Sequence, residues 1–523
     1  MTANMKSWLV AAGEVLLVVA FFFAVAGIAP PAINEAHYFA KSKNYWNPNW
    51  CARDLFASSG NPHLLFHLTF GTFTSLLSLE ASAWVGRLIG WTIIAIGLRA
   101  LTVAITDRPL AVLAVALIWL AGVDGFNLAG EWVIGGIEGK VPAYGFLLLA
   151  LRMMIVGQWR WVWPLLGVAS AFHVLVGGWS VIAAMLVYGC HGRNQASLRS
   201  QWMPLVVGGL IAAVGVYPAI ALTHGVANET VTAAARIYSY ERLTHHLLPS
   251  ALNQEWYVRH GFLTFVTGLA CWILRRDQRF VVIRTFTIGA VSIAVLGLMV
   301  GLLPQYEPDL AARLLRYYWF RLTDAVVPLT LALAWVRLPI VISASYLLQF
   351  SRAAVAIAAL WIVGSHAVET TRMTVVTDSG RVVSAVGMNT RSDNRQRVVS
   401  DWISVCEWVD LTLPQDEILL TPRNQHTFKW YANRAEVVNW KDVPQDAESL
   451  VEWSRRFYDV FPLRLGTVRV TVRYPDLIRF RKEYGARFMI VDRRFSGESL
   501  PLVQVYPLAP DESNATYGVY RLP

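Results

Sequence analysis

Apolar runs long enough to cross a bilayer recur from the N-terminus to about residue 365 and then stop. The first runs from Leu9 to Ile28 and ends at Pro30-Pro31. Further candidate spans are 84–105, 109–126, 142–157, 160–173, 175–190, 203–222, 260–275, 284–303, 322–338 and 339–364, about eleven in all. The 160–190 stretch is too long for one crossing and short for two, and Gly177-Gly178 is the expected bend. Charge alternates with the runs. With the N-terminus inside, successive inner turns hold Arg99 and Arg108, then Arg160, then Arg193 and Arg199, then Arg275, Arg276, Arg279 and Arg284, and finally Arg337. Arginine at every inner turn is what the positive-inside rule expects. An odd number of spans puts the C-terminal region outside, together with segments 29–82, 127–141, 223–259 and 304–321. Only Lys6 brings charge ahead of the first run, and a proline pair stands where a small-residue cleavage site would be, so the run reads as a retained signal anchor.

Two stretches depart from this pattern. Residues "NPHLLFHLTFGTFTSLLSL" are apolar but interrupted by His63 and His67, and by parity they lie along the outer interface rather than span. From about residue 369 the chain turns polar. There "DEILLTP", "ARFMIVDRR" and "YGVYRLP" read as strands, and "DAESLVEWSRRFYDVF" reads as an amphipathic helix with an acidic first turn. The expected architecture is therefore mainly α: a polytopic membrane unit over 1–368, then a small α/β extracytoplasmic domain over 369–523.

Composition agrees with the pattern. Of 523 residues, 55% are hydrophobic and 15% charged, well below the charged share of a soluble domain. The formal charge of +10 fits basic loops and lipid headgroups, and no nucleic-acid-binding motif accompanies it. Four cysteines give neither a disulfide framework nor a metal spacing, although Cys51 and Cys406 share the outer side and are candidates to pair. Trp402, Trp408, Trp430, Trp440 and Trp453 stud the tail and read as core more readily than as a saccharide platform. No metal site is indicated: His245-His246 lacks a third ligand at a known spacing, and a divalent ion stays an open possibility only.

Candidate chemistry gathers on the outer side, beginning with "INEAHYFAKSKNYWNPNW". Glu35 lies just past the first span, where partial burial lifts a carboxylate toward general-base range; a solvated loop acid is the plainer alternative. Asn34, His37, Tyr38 and Trp46 flank it as groups able to line a polar site, and Asp54 is a second carboxylate in the same loop. In "PDLAARLLRYYWFRLTD", Arg313 and Arg316 share a helical face and Arg321 stands at the next span; phosphate binding and interfacial snorkelling explain them equally. Glu138 and Lys140 in "GGIEGK" either line a pocket or sit in a linking turn, since the phosphate-loop pattern is incomplete. His173, His245 and His246 complete the set of substrate-lining candidates.

"NEAHYF" after the first span resembles the Asp-Glu-x-His-Phe/Tyr element of protein O-mannosyltransferases and, more widely, the acidic first outer loop of GT-C glycosyltransferases. The stretches "NPNWCARDLF", "GGIEGKVPAYGF", "SAFHVLVGGWS" and "FKWYANRAEVVNWKDVPQDA" resemble a GT-C-like family of bacterial multi-pass membrane proteins with no assigned reaction. The resemblance implies a GT-C-like helix arrangement in a bacterial inner membrane. It also implies a sugar donor on a polyprenyl-phosphate carrier, a glycan or protein acceptor, and Glu35 as base. Arg313, Arg316, Arg321 and Lys140 are the candidates to hold the carrier phosphate. One departure stands out: the family's acid pair is here Asn34-Glu35. A transporter or flippase, or a non-catalytic membrane scaffold, are the competing readings.

Overall fold

The computed structural model describes residues 3–32, 34–342, 346–372, 392–461, 473–496, 500–508 and 514–523. Eleven long helices stand where the apolar runs predict them. They are Ala3–Ala26, Leu79–Ile105, Ala111–Phe126, Lys140–Ile155, Trp159–Phe172, Val174–Cys190, Leu198–Ala221, Gln254–Ile273, Val281–Val300, Arg321–Val341 and Tyr346–Arg372. Among the described residues, six helical stretches are long and apolar enough to cross a membrane unaided: Ser7–Ala26, Leu79–Ile105, Leu198–Ala221, Val281–Gln305, Arg321–Val341 and Leu348–Val368. Ala111–Phe126 and Val174–Cys190 are apolar but shorter. The protein is a mainly helical, polytopic membrane protein.

The doubtful 160–190 stretch resolves into two short helices. The break is at His173, whose backbone is extended (φ −151°, ψ 101°), not at Gly177-Gly178. Gly177 has a different task. A Cβ there would come within 2.2 Å of the Ser170 backbone nitrogen, so the absent side chain is what lets the second helix fold back on the first. Gly177→Ala is expected to cost about 1–3 kcal/mol by overpacking against a backbone that cannot retreat, read as a lower unfolding midpoint in detergent.

The helix ends sort into two groups. At the end holding the N-terminus, Glu14 accepts from Arg99 Nε at 2.8 Å and from the Leu110 amide at 2.9 Å. There too Arg337 Nε donates to Asp277 at 2.8 Å, and Arg337 Nη1 donates to the Ile105 carbonyl. The opposite end carries the site. The stretch read as interfacial forms two short helices, Leu64–Leu68 and Phe70–Ser75, with Leu68, Leu76 and Leu77 exposed.

Beyond the last long helix, residues 373–391, just past the expected unit boundary, lie outside the described residues. Among the described residues, the tail builds a five-stranded sheet in the order β2 (Ala435–Glu436), β1 (Ile418–Leu420), β3 (Phe488–Asp492), β5 (Tyr517–Arg521) and β4 (Val503–Tyr506). β1 runs parallel to β2 and β3. β5 is antiparallel to β3 and to β4. The expected helix is there, Ala447–Val460, with Asp446 capping its first turn through the Ser449 amide. Trp402 and Trp453 are buried core residues, as expected. Cys51 and Cys406 are both buried and both free, so the possible pairing is not made.

Candidate functional site

The short helix Glu35–Trp46 follows the first span and divides two buried polar clusters. Helical spacing explains why one segment serves both. Asn34 and Tyr38 point to one side, and His37 and Lys41, also four apart, point to another.

On the first side, the Asn34 amide donates to Glu138 Oε2 at 2.9 Å. Lys140 Nζ lies 3.0 Å from both Glu138 and Glu131, over the Trp132 ring at 4.0 Å. Glu131 also meets Arg321 Nε at 2.8 Å, and Arg321 Nη1 lies 2.9 Å from His173 Nε2. The Tyr38 hydroxyl is 3.2 Å from His63 Nε2, and the His63 ring stacks on His173. Glu131, Glu138 and Lys140 are 5% exposed or less, so this is an interior network. Burial opposes the charge on Glu138, but Lys140, the Asn34 amide and Arg321 outweigh it and hold the carboxyl below its ordinary range. Burial also pushes His63 down to about 4, so that ring is neutral at pH 7. His173 carries a conflict of its own. Its Nδ1 faces the Val176 amide at 3.2 Å while its Nε2 faces Arg321. Both neighbours are donors, and a neutral imidazole has one lone pair to offer.

Six expected residues therefore converge: Asn34, Tyr38, Glu138, Lys140, His173 and Arg321. His246 borders them, with Nδ1 2.6 Å from the Ala129 carbonyl and its ring against His245.

Glu35 does not join them. Its carboxylate accepts Arg87 Nε and Nη2 at 2.6 Å each, the Ala32 amide at 2.7 Å and the Ile137 amide at 2.8 Å. Four donors and 1% exposure occupy both carboxylate oxygens in this arrangement. The loop closes over it because residue 136 is glycine; a Cβ there would lie 2.7 Å from Glu35 Cγ. Arg313 and Arg316 are also placed elsewhere. Arg313 binds Asn228 and Thr232 at the surface, and Arg316 lies over the Tyr238 ring at 5.0 Å with a long contact to the Gln445 carbonyl. Trp46 is 40% exposed and donates to the His67 carbonyl.

The second cluster joins the loop after the first span to the tail. Lys429 Nζ is 2.6 Å from Asp442, 2.7 Å from Glu436 and 3.2 Å from Asp54. His37 pairs with Asp442 and stacks on His426 at 5.2 Å. Asp54 is fully engaged: one oxygen caps Leu55–Ser58 through the Ala57 amide, and the other accepts the Glu436 amide. Asp54 and His37 thus tie two parts of the chain together, and neither meets the network around Lys140. Burial and the carboxylates of Asp442 and Asp54 outweigh Lys429 and push Glu436 up to about 7.

The crystal structure of ArnT from Cupriavidus metallidurans bound to undecaprenyl phosphate is similar over 100% of this chain and 99% of its own, with a TM-score of 0.52 and 12% identity. The chain has a GT-C-like fold. Residues 400–460, which hold Lys429, Glu436 and Asp442, match DUF6798, a domain of unknown function. A search of curated protein sequences found no match. Among the described residues, no group of three or more His, Cys, Asp or Glu side chains is arranged to hold a metal ion.

Arg87 and Glu131 lay outside the sequence reading, as did Lys429, Glu436, Asp442 and His426 of the second cluster. Arg87 carried a signal, a lone charge near the start of an apolar run. Glu131 carried none that set it apart from a solvated loop acid.

Proposed function

We propose that the protein is a GT-C-type glycosyltransferase that moves a sugar from a polyprenyl-phosphate carrier to an acceptor hydroxyl, in the cluster around Lys140. The contact between Asn34 and Glu138 carries this reading. An aspartate at position 34 would put two carboxylates side by side; the amide there lets Glu138, from another loop, supply the second acid. The GT-C-like fold, shared with a protein crystallised with undecaprenyl phosphate, supports the same donor chemistry.

The parts then have these roles. Lys140 and Arg321 take the carrier phosphate. A phosphate oxygen beside Arg321 would also accept from His173 Nε2–H, leaving Nδ1 to cap its helix and ending the conflict there. Once Lys140 shares its charge with the phosphate, burial is less opposed at Glu138, whose carboxyl rises toward general-base range. The acceptor oxygen attacks the anomeric carbon and the carbon–phosphate-oxygen bond breaks. Glu138 receives the hydroxyl proton, and the carrier phosphate leaves with its charge held by Lys140 and Arg321. Glu35, locked to Arg87, is a positioning residue.

Glu138→Gln keeps the volume and the Asn34 contact but removes the base. Transfer per folded molecule is expected to fall about 10²–10⁴-fold, with a lowered unfolding midpoint because Lys140 loses one of its two buried carboxylate partners. The measurement is turnover of a panel of polyprenyl-phosphate sugars by membranes carrying either form. Equal turnover in both would remove Glu138 from the chemistry. Turnover by neither, with lipid-linked sugar moved between leaflets instead, would favour the flippase reading.

A further inference from the structure

The opposite end of the molecule, around the N-terminus, has unbalanced charge beside an apolar cleft. Around the turn joining Leu79–Ile105 to Ala111–Phe126, three arginines have carboxylate partners: Arg99 with Glu14, Arg337 with Asp277 and Arg279 with Asp107. Arg108, on the turn before Ala111–Phe126, and Arg352, on Tyr346–Arg372, have no carboxylate partner among the described residues. Arg108 is exposed on the turn, and Arg352 lies with its guanidinium over the Trp335 ring at 4.3 Å and Nε on the Trp335 carbonyl. Both stand on one rim: Trp335, over whose ring the Arg352 guanidinium lies, is two residues from Arg337, and Arg337 Nη1 donates to the Ile105 carbonyl, three residues before Arg108. An anion between them would make two charge-assisted contacts.

The cleft leads away from this pair into the bilayer region. It measures about 370 Å³ and is lined by Leu17, Phe21, Leu113, Ala114, Leu117 and Leu360, all apolar and drawn from three mutually packed helices. Arg108 precedes Leu113 by five residues, and Arg352 precedes Leu360 by eight, about 12 Å along a helix. The cationic pair therefore stands at headgroup depth and the cleft at acyl-chain depth of the same leaflet.

We propose that this is a binding site for one anionic glycerophospholipid from the leaflet at the N-terminal side. Its phosphate sits between Arg108 and Arg352, and an acyl chain lies against Leu17, Leu117 and Leu360. The transferase cluster lies at the other end of the helices, and the inference does not rest on it.

The test uses the full chain in detergent, incubated with vesicles of equal parts phosphatidylglycerol and phosphatidylethanolamine, with bound lipid counted by native mass spectrometry. Phosphatidylglycerol is expected to be retained preferentially, by roughly five-fold for each arginine. Arg108→Glu alters an exposed side chain and is expected to abolish the preference. Leu117→Trp fills the cleft, keeps both arginines, and is expected to abolish retention as well. Undiminished preference in Arg108→Glu would overturn the phosphate site. Full retention in Leu117→Trp would reduce the effect to surface attraction and overturn the cleft. A co-purifying polyprenyl phosphate that phosphatidylglycerol fails to displace would overturn the assigned occupant.

Discussion

Arg87→Met will lower the stability of the folded protein by about 3–5 kcal/mol, because it strands the Glu35 carboxylate in the interior. Both side chains of this pair are 0% exposed. Arg87 gives two parallel hydrogen bonds to Glu35, and its remaining arm donates to the Ile28 carbonyl at the end of the first span. Glu35 in turn accepts from the amides of Ala32 and Ile137. The pair thus sets the exit of the first span against the loop bearing Glu138, and its loss reaches the site through that loop. Thermal unfolding in detergent measures the cost; an unchanged midpoint would mean that the carboxylate has another partner. The double variant Glu35→Gln/Arg87→Met removes both charges and is expected to recover most of the loss. It also separates positioning from catalysis. A folded double variant that transfers sugar above the Glu138→Gln level leaves Glu35 outside the chemistry. A folded but inactive one would restore it as the base.

Lys429→Met will have an effect of similar size at the other cluster, at least about 3–5 kcal/mol near pH 8. Lys429 is the cation that three buried carboxylates share, one from the first loop and two from the tail. Without it, Asp54, Glu436 and Asp442 repel one another across the junction. The tail is expected to come away from the loop after the first span, seen as new protease cleavage between the two with the membrane helices intact. The pH dependence gives a second check. Glu436 is already pushed up to about 7, above its unfolded value near 4.5, so its contribution falls as pH rises through that window. Removing Lys429 moves the folded value higher still, and protonation at pH 6 then relieves part of the repulsion. The variant should be closer to wild type at pH 6 than at pH 8. A penalty independent of pH would mean that Glu436 is not the group absorbing the lost charge.

Much of the architecture could be read from hydrophobic patterning, because in a bilayer the length of an apolar run is itself a structural requirement. The eleven long helices, the non-spanning stretch around His63 and His67, and, in the tail, β1, β3, β5 and the amphipathic helix follow local periodicity, whereas β2 and β4 were not read. The bend in 160–190 was misplaced by four residues, since glycine marks flexibility from the chain's side. The true break lies at His173, and Gly177 is needed for close approach instead.

The site was legible as a list of polar residues but not as an arrangement. Glu35 and Glu138 are both carboxylates in loops at the same end of the bundle, and nothing local distinguishes them. One meets Arg87, buried in the same helix bundle; the other meets Asn34 and Lys140. Likewise Arg313, Arg316 and Arg321 lie within nine residues of one another, yet only Arg321 reaches the network, because the chain turns between them. Short-range pattern determined the membrane class and the helices. The partner of each buried charge was decided by tertiary structure alone, because an ion pair forms between residues tens to hundreds of positions apart and desolvation gives it a meaning that no window of sequence contains.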